Sequence, residues 1–487
     1  MPQFVFLWTD IALWAMVLVT VLYAVHVARS PNLRSTWYRV LTDAPAMCSA
    51  VVLCAFIAIG LVDSIHYRAV LPQAAGAPAD APKVYSPIVK SALEGLMANT
   101  TLTLPEARFS APLATRQLNK ESVLTPDGPV REFKPLVHGG AHLANPDVAR
   151  GGDIAMRVLA GVAVAAGGAV LVLLLLVTVL SRRRASWRQA WSDVLRDNCN
   201  IPLRAMWFTT LGVLLVMGSL AGMASGYHAL GTDQTGNDVL WQAMRSIRTA
   251  LVIGSLTTVA MLPPALILGI SAGYFKGRID DVIQYIYTTL TSIPSVLLVA
   301  ACVLLMQAFI DNNPSLFPTS AHRADVRLLM LCLILGLTGW AALCRLLRAE
   351  TMKLRELEYV QAARAFGVSH WTIMRRHLLP NVMHIVLITV VLEFSALVLY
   401  EAVLSYLGIG VDPTMNSFGT MIDGARLDMS RDPMVWWSLL AAFAFMLALV
   451  LAANLFADSV RAAFDPRSRA FRIRRHPLAA AISRRAA

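Results

Sequence analysis

"EYVQAARAFGVSHWTIMRRHLLPN", residues Glu358 to Asn381, lies between two long apolar runs at 327–346 and 382–404. From Leu354 onward the apolar positions Leu354, Leu357, Val360, Ala363 and the pair Phe366–Gly367 recur every three or four residues, which predicts one amphipathic helix. Gly367 ends it as a C-terminal cap would, and a second short helix follows at about Ser369–Leu378 with Ser369 as its N-cap. Pro380 then marks where the chain turns into the next apolar run. The stretch and its approach are basic, with Arg345, Arg348, Lys353, Arg355, Arg364, Arg375 and Arg376. This helix–turn–helix is too short and too polar to cross a bilayer. Its own residues allow an interfacial helix resting on lipid headgroups or a short DNA-binding unit, and local physics favours the headgroups.

The rest of the chain explains the setting. Of 487 residues 57% are hydrophobic and only 15% charged, a balance for lipid rather than for several soluble domains. Apolar runs at 4–27, 45–63, 154–180, 205–226, 250–274, 283–309, 327–346, 382–404 and 434–457 each approach the length of a crossing helix, giving nine spans. The net charge of +12 sits in short Arg clusters beside these runs, with no aromatic–basic stripe, so nucleic-acid binding is not indicated. The six cysteines show no CxxC spacing, which leaves neither a disulfide framework nor a zinc cluster to read. The first residues lack a signal peptide's basic start, so the first run is expected to remain as a span.

Basic residues set the orientation. Arg29, Arg34 and Arg39 follow the first run, Arg182, Arg183 and Arg184 the third, and Arg467, Arg469, Arg472, Arg474 and Arg475 the ninth. The positive-inside rule places these in the cytoplasm, with the N-terminus and the segments 64–153, 227–249, 310–326 and 405–433 outside. The segment 64–153, with matched charges and many Pro, Ala and Gly, is expected to hold short elements packed on the outer face.

Several blocks carry a family resemblance. Gln361-Ala362-Ala363, then Gly367, then Leu378-Leu379-Pro380 resembles the EAA loop of permease subunits in ATP-binding-cassette importers. Over most of 231–467 the chain resembles the C-type permease of the dipeptide, oligopeptide and nickel importers, through "GTDQTGNDVLWQAMRSIRTALVIG" (231–254), "AGYFKGRIDD" (272–281), "SIPSVLL" (292–298), "EAVLSYLGIGVDP" (401–413) and "RAAFDPR" (461–467). The departures are Gln361, where that pattern usually has Glu, and Leu378, where Ile is common.

The resemblance implies an all-α polytopic membrane protein with the type I importer fold, a six-helix core and about three additional N-terminal spans. On that division 1–63 holds N-terminal spans, 64–153 an external region, 154–204 an extra span with a basic loop, 205–465 the permease core with a coupling loop at 350–381, and 466–487 a basic tail. An alternative keeps 45–63 as the family's first span and makes the third and fourth spans an inserted hairpin. The implied protein is a non-catalytic subunit in a bacterial inner membrane. Its partners would be a second permease, one or two cytoplasmic ATPases holding ATP and Mg, an extracytoplasmic binding protein and lipid. The chain itself carries no GxxxxGK[ST] loop and no HExxH or GxSxG motif.

The resemblance implies Glu358, Gln361, Ala362, Ala363, Arg364, Gly367, Arg375, Arg376 and Pro380 as the coupling loop's contacts with an ATPase, although each Arg taken singly is more readily read as an orienting charge. Glu393, at mid-depth of its span, lines a translocation path and meets a substrate amine or a cation, or, the reading its depth favours, is neutral or paired with a group on a partner permease. Glu401 is placed near an external gate, and Pro263, Pro264 and Pro294 interrupt helix ladders. Asp233, Asp238 and Asp412 are candidates for docking a binding protein, with solvated surface as the alternative. His138 and His142 have metal-like spacing, but Gly139-Gly140 separates them and no third ligand is evident. Asp10 is read as near enough to the surface to reach water, without a role. Two rival classes are an ion-coupled secondary transporter using Glu393 and a membrane receptor or scaffold.

Overall fold

The computed structural model describes residues 3–71, 84–125, 128–182, 187–196, 200–317 and 319–464. Arg183, Arg184 and the arginines of the 466–487 tail lie outside the described residues. The chain opens with strand β1 (Gln3–Val5), then helices α1 (Trp8–Arg29), α2 (Pro31–Leu41) and α3 (Ala44–Asp63). Strands β2 (His66–Val70) and β3 (Tyr85–Ser91), helix α4 (Ala92–Leu96) and the hairpin β4 (Glu121–Thr125) and β5 (Gly128–Glu132) follow. Next come α5 (Pro146–Ser181), α6 (Trp187–Arg196), α7 (Leu203–Ala224), α8 (Val239–Phe275), α9 (Arg278–Ser292), α10 (Ser295–Asn312), α11 (Ser320–Gly339) and α12 (Ala341–Arg355). The chain then forms α13 (Glu358–Ala365), α14 (His370–Ile373), α15 (Leu379–Tyr406), α16 (Phe418–Asp428) and α17 (Trp437–Phe464).

Eight of these helices are long and apolar enough to cross a bilayer among the described residues, and the pair α11–α12, bent by 40°, makes a ninth. The crossings agree with the nine apolar runs, because a helix is the solution that satisfies its own backbone in lipid. Following the chain, all five strands and α16 gather at one end of the bundle, here the sheet face. Helices α2, α6, α13 and α14 gather at the other, the loop face.

Four boundaries differ from expectation. Gln3–Val5 is not the start of a span, because it pairs antiparallel with His66–Arg68 of β2. The 64–153 segment ends early, since α5 begins at Pro146 with Pro in its first turn, a position that needs no donor. The run 283–309 is two helices, as Ile293 is extended and Pro294 opens α10. The amphipathic stretch from Leu354 is also two helices, because Leu357 takes an extended conformation between α12 and α13.

Packing distinguishes core from additions. Helix α3 lies against α8 and α17, whereas α7 packs along α5 and on α3. Gly161 of α5 and Gly218 of α7 face each other so closely that a Cβ at Gly161 would run into the Gly218 carbonyl. Small residues permit such contact where lipid supplies no hydrophobic drive between helices. Helix α3 thus packs with α8 and α17, while α5 and α7 pack chiefly on each other.

The first span is fastened by charge. Asp10 is 3% exposed, not in reach of water. Its Oδ1 accepts from Arg248 of α8 through Nε at 3.1 Å and Nη2 at 2.5 Å, and its Oδ2 lies 2.7 Å from His66 Nδ1. Asp325 of α11 accepts from the Thr9 hydroxyl and, at 3.2 Å, from the Thr9 amide, while Arg248 Nη2 donates to Thr9 Oγ1 at 3.0 Å. One guanidinium therefore joins α1, α8 and α11 at the sheet face. Replacement Arg248→Ala leaves two buried carboxylates without their cation, and the expected loss is about 3–5 kcal/mol. Thermal unfolding of the purified chain in detergent measures it; an unchanged midpoint contradicts this role.

Candidate functional site

The loop face carries a foot with two unlike sides. Val360, Ile373 and Leu378 are buried to 2% exposure or less and join Tyr274, Leu347 and Cys344 in one apolar cluster beneath α8 and α12. Burial of each such side chain contributes about 1.5–3 kcal/mol. Polar ties support them: Tyr274 Oη lies 2.8 Å from His370 Nδ1, Arg355 donates to the Tyr274 carbonyl at 2.7 Å, and Arg348 grips Asp280 at 2.5 and 2.7 Å. Lys276 bonds Glu356 at 2.9 Å and holds its carboxyl below the usual range.

The other side faces away from the protein. Phe366 is 87% exposed and Trp371 65%, with Leu357 and Tyr359 also exposed. Glu358, Gln361, Ala362, Arg364, Gly367, Arg375, Arg376 and Pro380 are exposed as well, whereas Ala363 is half-buried against the inner cluster. Gly367 has φ +74°, and a Cβ there would meet nothing within 4 Å. Arg375 and Arg376 form no ion pair among the described residues. The period from Leu354 placed Phe366 on the buried face. It is not buried, because the break at Leu357 and the turn at Gly367 rotate it outward.

Two residues have local explanations. Gln361 Nε2 donates at 3.1 Å to the Glu356 carbonyl just beyond α12, which a carboxylate is unable to do. Ser369 caps α14 as its sequence suggests, accepting from the Thr372 amide. Pro380, however, does not mark a turn. Met374–Leu378 is a π-turn running straight into α15, with Pro380 in that helix's first turn, so the wider turn accommodates the missing amide.

At mid-depth Glu393 is half-buried, with no hydrogen bond or ion pair among the described residues. Glu401 is 1% exposed and accepts from Ser405 Oγ at 2.6 Å, so it is a packed interior group rather than one at the surface. Pro294 is exposed at the break between α9 and α10.

The sheet face revises the docking candidates. Asp238 is 1% exposed: it caps α8 by accepting from the Trp241 amide, and it holds His228 Nδ1 at 2.8 Å. Asp238 is thereby removed from any docking surface. Asp233 folds its own loop, accepting from the Thr235 and Asn237 amides and from Gln242. Asp412 pairs with Arg327 at 3.2 Å. His138 and His142 do not converge on a metal: His142 Nε2 sits 2.7 Å from Asp153, and the His138 amide donates to Glu106. Among the described residues no group of three or more potential ligands is poised to hold a metal ion.

Sequence reasoning missed two clusters. Arg248 lies deeper than Arg245 in a long apolar helix and is buried there, so it requires an acidic partner, which the fold supplies as Asp10 and Asp325. The second joins His228 to Glu106, whose Oε1 is 3.4 Å from Nε2, and Glu106 also accepts from the amides of Val137, His138 and Gly139. No local spacing announces contacts this distant in sequence.

Residues 265–470 match the model for "Binding-protein-dependent transport system inner membrane component". The oligopeptide transport system permease protein OppC of Mycobacterium tuberculosis (strain ATCC 25618 / H37Rv) is 33% identical over 245 residues, 50% of this chain and 78% of that protein. The chain belongs to this permease family. Also similar are the dipeptide transport system permease protein DppC of Bacillus subtilis (strain 168), 30% identical over 246 residues (50% of this chain, 70% of that protein), and the glutathione transport system permease protein GsiD of Pectobacterium atrosepticum, 30% over 243 residues (50% and 74%). The chain is thus a multi-pass membrane permease component, and about half of it extends beyond the part shared with these relatives.

The permease's His228 cluster makes its sheet-face region pH-sensitive at the extremes. Burial disfavours the His228 imidazolium, but Asp238 and Glu106 outweigh it and lift the group from 6.5 to about 9. Burial likewise opposes the Glu106 carboxylate, yet His228 and three amides lower it from 4.5 to about 2. The histidine's contribution is full below 6.5 and is lost as pH rises through about 9; the glutamate's is full above 4.5 and is lost as pH falls through about 2. Limited proteolysis of 107–135 is expected to accelerate above pH 9 and at neutral pH in His228→Ala; equal rates in that variant and the wild type contradict the anchoring role.

Proposed function

We propose that this permease forms half of the translocation path of an ATP-driven importer for short peptides or similar solutes, and that its loop-face foot couples it to a separate ATPase subunit. The observation that carries the proposal is the two-sidedness of Glu358–Leu378. Its inner side is bolted to α8 and α12, and its outer side presents Phe366, Trp371 and a rim of Arg364, Arg375 and Arg376. An apolar anchor ringed by cations fits an acidic-rimmed pocket on a partner. A foot held at both ends by spans transmits rigid-body movement rather than absorbing it.

In this proposal the loop face is cytoplasmic, with Arg29, Arg34 and Arg39 on the same side, and the sheet face is external. A loaded binding protein docks on the sheet face, where Asp233 and Asp412 remain partly accessible, and a second permease completes the path. ATP with Mg on the ATPases closes the pair of feet and swings the spans from inward-open to outward-open; hydrolysis resets them. This chain performs no bond chemistry. Glu393 lines the path or meets the second permease, which would cover a half-buried carboxylate at mid-depth. The relatives' names cover oligopeptides, dipeptides and glutathione, so peptide-like cargo is the class proposed.

The Gly367→Trp variant tests the coupling. It adds bulk where nothing lies within 4 Å in this chain but at a φ of +74° that strains any side chain, so Ala362→Trp, on the exposed face of α13, is tested beside it with the same expectation. The expected result is normal membrane insertion with loss of ATP-driven uptake in reconstituted vesicles, because the indole blocks seating of the partner. Uptake at the wild-type rate contradicts the proposal.

A further inference from the structure

At the sheet face a cavity of about 460 Å³ lies between the chain's additional N-terminal part and its permease core. Pro87, Ile88 and Val89 of β3 form one wall, the Thr414–Asn416 segment another, and Asp63, Arg245 and Arg248 line it from α3 and α8. Its size falls within the usual range for small-ligand sites, about 300–1,000 Å³.

Most charges around it are already engaged. Arg248 is held by Asp10 and Thr9, and Asp325 by Thr9. Asp63 differs. It is 3% exposed, and its Oδ1 has no hydrogen-bond partner. Arg245 Nε stands 4.0 Å from that oxygen, the limit of an ion pair and too far for a hydrogen bond. A buried carboxylate oxygen without a donor is costly, and such an atom calls for a specific explanation.

We propose that this cavity is a binding site for a small zwitterion with a free ammonium group, of the size of a short peptide, with the ammonium on Asp63 and the carboxylate on Arg245. A divalent metal ion is a poor fit, because Asp325 is engaged by Thr9 and Asp63 alone offers too few oxygen ligands. A simple cation is also disfavoured, since the Arg245 guanidinium, resting over Trp241, would repel it unless a negative group came with it. The β3 wall does not take the ligand as an added strand: Pro87 has no amide hydrogen, and the Ile88 amide donates to Ser86 Oγ at 3.2 Å. Ile88, 67% exposed, instead offers apolar surface to a ligand side chain. Residues from both parts of the chain build the site, so a function is assigned to the additional segment.

The peptide-transport reading enters only in making this ligand the cargo, because binding to the chain alone needs no ATPase. The test uses the full chain purified in lipid nanodiscs without nucleotide and titrated with the dipeptide Ala-Leu, N-acetyl-Ala-Leu and Ala-Leu amide. Saturable binding of Ala-Leu is expected, weakened at least about tenfold by acetylation and by Asp63→Asn, as for loss of a buried charge pair. The amide, a cation without the carboxylate, is expected to bind more weakly than Ala-Leu, and Arg245→Gln is expected to weaken Ala-Leu without weakening the amide. Without ligand, Asp63→Asn is expected to melt no lower than the wild type, because it removes an unsatisfied charge. Equal binding of the acetylated dipeptide, unchanged binding in Asp63→Asn, or a lower melting point of ligand-free Asp63→Asn overturns the proposal. ATP-driven uptake, measured separately, reports on the importer reading alone.

Discussion

Three side chains, Val360, Ile373 and Leu378, hold the foot of this permease against the ends of α8 and α12. Everything proposed about coupling depends on that attachment. A segment of this length with few apolar contacts would fray on its own, since short isolated helices are marginal in water. Pinned from within, it keeps Phe366 and Trp371 outward even though their exposure is unfavourable for this chain alone. The π-turn that carries the foot directly into α15 removes the flexible joint that a turn at Pro380 would have introduced. A tilt applied to the foot is therefore a tilt applied to the span.

The opposite face is built on electrostatics instead. Arg248 gathers Asp10, Thr9 and, at 3.9 Å, Asp325, while His228 sits between Asp238 and Glu106. Each cluster ties the additional N-terminal part to the core through groups that are costly to separate once buried. The α5–α7 hairpin is held together differently, through close backbone contact between its own Gly161 and Gly218, and it rests on the remainder by packing of α7 on α3. Two buried charge clusters thus join the additional part of the chain to the permease portion, leaving the Asp63 cavity at the seam.

The nine crossings were legible in the sequence because their apolar length is a one-dimensional property. So was the family, through the blocks around Gln361 and Glu401. Helix breaks were less legible: Leu357 continues an apolar period, and nothing in that period distinguishes a helix interior from an extended cap. Asp238 looked like a surface acid because its partner His228 belongs to a loop, and its burial depends on Glu106 from a segment more than a hundred residues away. Asp10 looked solvated for a similar reason, since Arg248 reaches it only after eight helices have packed. Pairings of this kind are properties of the assembled bundle rather than of any local stretch.

The central claim, that the outer side of the foot is a seat for an ATPase, is tested most directly by placing a photo-activated crosslinking residue at Phe366 in native membrane vesicles. The account predicts a crosslinked product containing a nucleotide-hydrolysing subunit, with a yield that changes when ATP is added. Products containing only lipid, at a yield indifferent to nucleotide, would contradict it.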